Sequence, residues 1–315
     1  MFRRIVGEKP EQFRKIHPIL GDVTLPKLGL NDEHLKYLLK NTEIIFHLAA
    51  TLKLEGTLKP AIQMNLMGTK FVIDLAKEMP KLIQVVHAST AFCYSDQEVL
   101  FEDVYDHPDK PEDLIRCAEW MTEETMEAMQ KQILDYHPNT YTYTKRLAEI
   151  LVRDEYANIP ICIVRPSIVT PSYKEPFPGW VDSLNGPVGI MLAAAKGVLR
   201  SMLMDVSAKM EAVPVDSAIN CMILVAKEVS TMKKRPEKVP VYNITVSESK
   251  KLTFGHLFVK TKEIGYKNPC TWGLWYPNGT ITTNVFIHTL NVFFFQLIPA
   301  YIIDFFLLCT GQKRL

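Results

Sequence analysis

The strongest constraint on this 315-residue chain is a regular alternation of short apolar runs with amphipathic helical stretches across residues 43–164. Glu43-Ile-Ile-Phe-His-Leu48 is an apolar run followed by the small residues Ala49 and Ala50. Ala61 to Glu78 carries Ile62, Leu66, Phe71, Val72 and Leu75 at helical spacing, with Met79 just beyond. Leu82-Ile-Gln-Val-Val86 is a second apolar run, ending in His87-Ala-Ser-Thr90. Runs of this length read as buried strands, and strand, helix, strand in succession is a βαβ unit, which makes the strands parallel. A helix from Tyr141 to Tyr156 then leads into a third run, Ile159-Pro-Ile-Cys-Ile-Val164, closed by Arg165-Pro166. The expected fold is α/β, a doubly wound parallel sheet of Rossmann type over residues 1–170.

Around this frame the reading is coarser. Ile16 to Leu20 is strand-like, Thr24 to Gly29 is turn-rich, and Asn31 caps a helix from Asp32 to Lys40. Residues 98–135 are charge-rich, and Glu119, Glu123, Glu124 and Glu127 mark a solvated helical face. Past residue 170 the alternation loosens. Pro171 to Trp180 is rich in proline and aromatics, and Gly186 to Met204 and Asp216 to Lys227 read as two helices. Residues 171–284 are expected to form a substrate-binding lobe that shares the sheet in part.

Composition narrows the function. Lys+Arg 36 against Asp+Glu 35 gives a net charge of +1, so no broad positive field exists to gather nucleic acid. The six cysteines are scattered without a CxxC pair or zinc-ligand spacing to the eight histidines, as for reduced thiols in a cytosol-facing protein with no metal site. Val285 to Cys309 is nearly all apolar and is bounded by Lys313 and Arg314, which makes residues 285–310 a membrane-associating segment. His288, Asn291, Gln296 and Asp304 interrupt it and Pro299 lies inside it, which favours a re-entrant or surface-lying hairpin over one clean span. A buried pair of core helices is the alternative.

The chemistry sits on the 141–156 helix. Tyr141 and Lys145 are one turn apart on one face, so an ammonium can lie near a phenol. A neighbouring cation favours the phenolate and lowers a value that is otherwise near 10, making the phenol a usable acid. A reduced carbonyl needs a proton as hydride arrives and a second hydroxyl to hold its oxygen. Thr90, at a strand end, is the candidate, with Ser89 as the alternate. Tyr143 is two residues from Lys145 and faces away from it.

These residues, taken with others, resemble the extended short-chain dehydrogenase/reductases and more closely the eukaryotic fatty acyl-CoA reductases. The resemblance is carried by Gly21-Asp-Val-Thr-Leu-Pro-Lys-Leu-Gly29, His47-Leu-Ala-Ala50, Asn65-Leu-Met-Gly-Thr69, His87-Ala-Ser-Thr-Ala91 and Asn139-Thr-Tyr-Thr-Tyr-Thr-Lys145. It continues through Arg165-Pro-Ser167, Glu175-Pro-Phe-Pro-Gly-Trp180, Gly197-Val-Leu-Arg200, Val213-Pro-Val-Asp216 and Val241-Tyr-Asn243, and runs to about Arg314.

The resemblance implies that Asp22 and Val23 face the adenine of NADPH, that Ala49 and Ala50 line the cofactor cleft, and that Asn65 supports the site from a helix. It implies that Lys145 also reaches the nicotinamide ribose, and that Pro166, Ser167 and Ile168 border nicotinamide and substrate. The hydroxyl holding the carbonyl oxygen falls to Thr90 or Ser89, just ahead of Tyr94, with Thr90 favoured. The implied reaction reduces a long-chain acyl-CoA through an aldehyde to the primary alcohol, on a membrane of the peroxisome or endoplasmic reticulum.

Such enzymes start with a strand and a Gly-rich turn that holds the pyrophosphate. No such motif precedes Gly21, and Gly7 stands alone, so the chain is expected to be truncated at its first βα unit and cut short in the C-terminal region. Arg3 or Arg4 is then a remnant of a 2′-phosphate reader. Two other readings stay open: another extended reductase, such as a hydroxysteroid dehydrogenase or sugar epimerase, and a non-catalytic membrane-associated protein.

Overall fold

The computed structural model describes residues 3–312 apart from Arg235 and Trp272; the basic pair Lys313 and Arg314 and the side chains of Arg3 and Arg4 lie outside the described residues. Polar side chains cap three helices of the first half. Asn31 Oδ1 accepts the His34 N–H at 2.8 Å at the head of α1 (Asp32–Asn41), which carries Asp32 and Glu33 in its first turn. After β1 (Ile44–His47), the segments Leu58–Ala61, Ile62–Met67 and Gly68–Lys77 run on as one helix, α2, with a π-turn as the middle piece. Then come β2 (Gln84–Ala88), α3 (Pro111–Trp120), α4 (Glu123–Leu134) capped by Thr122, α5 (Thr140–Glu155) capped by Asn139, and β3 (Ile161–Pro166).

The later chain is built of shorter pieces: β4 (Ile168–Thr170), α6 (Pro187–Ala195), β5 (Ser201–Leu203), β6 (Lys209–Met210) and β7 (Ala212–Pro214). α7 (Val215–Thr231), β8 (Val241–Ile244), β9 (Leu252–Thr253), α8 (Phe254–Lys267) and β10 (Thr280–Thr282) follow. The last helix, α9, comprises Val285–Val292, a π-turn Phe293–Leu297 and Ile298–Cys309.

The elements divide into two compact units, Met1–Ser167 with Asp216–Thr245, and Ile168–Val215 with Val246–Leu315. The first holds a parallel sheet in the order β1-β2-β3-β8, in register Ile45↔Val85, Val86↔Cys162 and Val164↔Tyr242. The chain returns to this unit through α7 because β8 completes the sheet beside β3. Leu58, Ile62, Leu66 and Ile73 of α2 and Tyr143, Leu147 and Leu151 of α5 meet Val85, Ile161 and Ile163 of the strands in one core. The second unit holds three two-stranded pairs, β4 with β7, β6 with β9, and β5 with β10.

Four sequence expectations differ from the structure. Ile16 to Leu20 forms no strand, because a strand needs a hydrogen-bonded neighbour and the described residues give it none. β1 is not a buried strand: it is the sheet edge, and while Ile45 and His47 turn inward, Ile44 and Phe46 are 43% and 40% exposed. Gly186 to Met204 is not one helix. α6 stops at Lys196 because Gly197 takes φ +75, a left-handed turn open to glycine, and the chain leaves as β5.

The apolar tail is neither a hairpin nor a buried pair. α9 is one helix from Val285 to Cys309, long and apolar enough by length and composition to cross a membrane, and the π-turn ahead of Pro299 opens the ladder enough to admit the ring. His288, Asn291, Gln296 and Asp304 share its half-buried stripe, and the other faces carry bare aromatics such as Phe286, Tyr301 and Phe305.

Candidate functional site

The side chains of interest gather in the first unit where parallel strands end. Lys145, 2% exposed on α5, donates from Nζ to the Ala88 carbonyl at 2.8 Å, at the last residue of β2. Two residues on, the Thr90 hydroxyl lies beside the Tyr141 phenol, near enough to favour its ionised form. The Ser89 hydroxyl instead faces Cys93, with Oγ to Sγ 3.8 Å. Of the two candidate hydroxyls, Thr90 is the one that bears on Tyr141. Tyr143 turns away, as its position on the helix requires, and gives its proton to Asp109 Oδ2 at 2.7 Å.

Asn65 lies buried in the π-turn of α2 and joins the parts. Its Oδ1 accepts the Thr51 N–H at 2.8 Å, just past Ala49 and Ala50 at the end of β1. Its Nδ2 donates to Thr144 Oγ1 at 2.9 Å, between Tyr141 and Lys145 on α5. An ordinary α-helical turn would present a different side chain here, and π-turns recur at functional sites for that reason. Three residues further on, a Cβ at Gly68 would sit 3.2 Å from the Val23 carbonyl, so glycine lets the Asp22–Val23 turn rest on α2. Asp22 is exposed, and hydrogen bonds from the Thr24 hydroxyl and N–H hold its carboxyl below the usual range.

Ala49 is exposed and Ala50 half-buried, while Pro166 and Ser167 end β3, with the Ser167 hydroxyl buried and lacking a hydrogen-bond partner. Ile168, the next residue, is the first of the second unit.

Burial dominates the electrostatics. It lowers the Lys145 ammonium to about 8, against the opposing pull of Glu149 and the Cys93 thiol. Burial also raises the Tyr141 phenol, with the Thr90 hydroxyl acting the other way. This corrects the expectation that Lys145 acidifies Tyr141: the ammonium is committed to the β2 backbone, and the phenol stays protonated near neutral pH.

Below Lys145 sit two histidines that sequence reasoning treated only as strand residues. The His47 and His87 rings are 5.3 Å apart, and neither ring nitrogen of His87 has a hydrogen-bond partner. Burial first, and the Lys145 charge second, bring His47 to about 3 and push His87 well below its ordinary value, so both are neutral. The Thr69 hydroxyl gives its one proton to the Asn65 carbonyl, so His47 Nε2, 3.0 Å away, is the donor to Thr69.

A second network was also missed. Arg165 and Glu149, both fully buried, pair through Nε to Oε1 at 2.9 Å and Nη2 to Oε2 at 2.5 Å. Tyr94 OH donates to Glu149 Oε2 at 2.8 Å, and Arg165 also reaches the carbonyls of Phe101 and Asp103. The signal was present: Glu149 continues the Tyr141, Lys145 stripe by one more turn, and Arg165 is a charge closing an apolar strand.

The nicotinamide end of a dinucleotide fits these residues. Lys145 Nζ has a single protein acceptor, so further N–H donors remain for ribose hydroxyls, and the alanines after β1 offer no bulk. Among the described residues, no strand opens through a Gly-rich turn into a helix to take the pyrophosphate.

A parallel sheet with this constellation at its strand ends defines a class, and comparison with known proteins gives it a family. Residues 2–222 match the NAD-binding family described as Male sterility protein, and the chain belongs to it. It is 36% identical to fatty acyl-CoA reductase 1 of Homo sapiens over 313 residues, 99% of this chain and 60% of that protein. It is 35% identical to fatty acyl-CoA reductase 2 of Bos taurus over 314 residues, with the same coverage of 99% and 60%. The resemblance read from the motifs is thereby borne out, and the chain spans about 60% of the length of these relatives. Among solved structures, the reductase domain of a nonribosomal peptide synthetase from Mycobacterium tuberculosis aligns with TM-score 0.55 at 15% identity, over 86% of this chain and 57% of that one. The terminal reductase domain of the myxalamid pathway aligns with TM-score 0.53 at 19% identity, over 79% and 55%. Both share the expected Rossmann-like fold.

Proposed function

We propose that this chain reduces long-chain acyl-CoA to the primary alcohol through an aldehyde, with NADPH as reductant and free CoA as the second product. The observation that supports the reading is the Tyr141 phenol, beside the Thr90 hydroxyl and one turn from buried Lys145, whose ammonium meets the end of a strand. The names and NAD-binding family of its relatives support it.

Bound NADPH supplies hydride. Tyr141 and Thr90 hold the thioester oxygen as it gains charge, and the C–S bond then breaks to release the CoA thiolate and leave an aldehyde. In the second reduction Tyr141 gives its proton to the oxygen that becomes the alcohol. The raised phenol value keeps that proton available near neutral pH. Lys145 and Asn65 position the site, Asp22 and Val23 lie toward the adenine, and Ala49, Ala50, Pro166, Ser167 and Ile168 border the cofactor and substrate. Of residues 171–284, those outside Asp216–Thr245 form the substrate lobe, and α9 associates with the cytosolic side of a membrane.

Tyr141→Phe should cut alcohol formation from palmitoyl-CoA and NADPH by about 100-fold or more, within the range of a lost general acid. Unchanged turnover sinks the assignment. A fluorescence titration in which the purified chain takes up no NADPH would instead point to a non-catalytic membrane-associated protein.

A further inference from the structure

The second unit contains a groove between α6 and α8, floored by the β5–β10 pair. Met191 and Ala194 from α6, Leu257 and Phe258 from α8, and Met202 and Ile281 from the strands line it. The one polar side chain among its lining residues, Thr261, is turned to the Met191 sulfur at 3.7 Å. No lining side chain is left to pair with a polar ligand, and the groove is an open one with a cavity volume of about 80 Å³.

The strand register shows what lies behind it. Met202 pairs with Ile281 and Ser201 with Thr280, and neighbouring residues of a strand face opposite ways. Met202 and Ile281 face the groove. Ser201 Oγ meets His288 Nδ1 at 2.9 Å, and Thr280 Oγ1 accepts from Asn291 Nδ2 at 3.3 Å, so α9 lies against the other face. Gln296 adds two more bonds, accepting the Arg200 and Ser201 N–H groups at 2.9 and 3.1 Å. A sheet one strand-pair thick thus separates an unpolar groove from a helix whose outward faces are bare apolar residues.

We propose that this groove binds a single methylene chain, the acyl tail of a lipid drawn from the apolar phase that α9 contacts. The identity of that chain as an acyl-thioester tail rests on the reductase reading above. Methionines 191 and 202 suit such an occupant, because flexible thioethers follow chains of differing bend and length.

The test is photolabelling of the whole 315-residue protein with a palmitic acid analogue bearing a diazirine near its methyl end, followed by peptide mapping. Label is expected in residues 187–204 and 254–261. Ala194→Trp, which fills the groove, should reduce that label about tenfold, since excluding a few methylenes has that effect. Leu257→Gln provides a second variant if the first does not fold, judged by its melting temperature. Label confined to 285–309, or undiminished in a folded variant, overturns the proposal. Because labelling needs no turnover, a labelled groove in a protein that forms no alcohol would sink the reductase reading alone. Alcohol formation without groove labelling would sink this one alone.

Discussion

Arg165 closes β3 with a guanidinium wholly removed from water, and its bonds go to Glu149 and to the carbonyls of Phe101 and Asp103. A buried pair of this kind adds little net stability over apolar residues, yet breaking it strands a charge. Arg165→Leu should therefore cost roughly 3–5 kcal/mol in urea unfolding, because Glu149 is left unpaired in the core. The double change Arg165→Leu with Glu149→Leu should recover much of that loss; a single variant as stable as the parent would show the pair to be solvated. The network also explains why Tyr94, a residue used in the sequence only to place the neighbouring hydroxyl, is 3% exposed beside the site: its phenol and the guanidinium share one carboxylate.

Among the elements, α9 joins two properties that a linear reading sets against each other. Its four polar residues interrupt the apolar run in sequence, but on the helix they share a half-buried stripe, and three of them meet the β5–β10 pair. The protein should co-float with phosphatidylcholine vesicles, and Phe305→Asp with Phe306→Asp should return most of it to the soluble fraction. Flotation that survives both changes would place membrane contact elsewhere. The same contrast marks what was legible. The βαβ frame was legible because the apolar runs and the helix period have no other economical packing, and Asn31 marks a helix start by its cap. Tyr141, Lys145 and Thr90 were legible as a spacing. The π-turns were not, since they reflect tertiary packing rather than propensity. Nor was the exposure of β1, because an apolar run does not state how many neighbours its strand will have.

At the scale of the molecule, acid should be more damaging than base. The unfolded chain binds a proton at His47 near 6.5, whereas the folded chain holds that ring neutral down to about 3. The unfolded state therefore binds more protons throughout that window, and stability falls as the pH drops through it. Lys145 acts in the same sense higher up: its folded value of about 8 against 10.5 makes stability rise with pH between them. Melting temperatures should climb from acid to mildly alkaline pH, and His47→Gln, which can still donate to Thr69, should flatten the acid limb. An acid limb as steep in the variant as in the parent would remove His47 from this account.

One consequence of the sheet order reaches beyond the single chain. Among the described residues β1 has one hydrogen-bonded neighbour, and its Ile44 and Phe46 face outward. In the language of assembly it is an unfinished row: each peptide group along its free side is a docking peg for a further strand. A row left open in this way is one that folded chains ordinarily cover, shorten or charge.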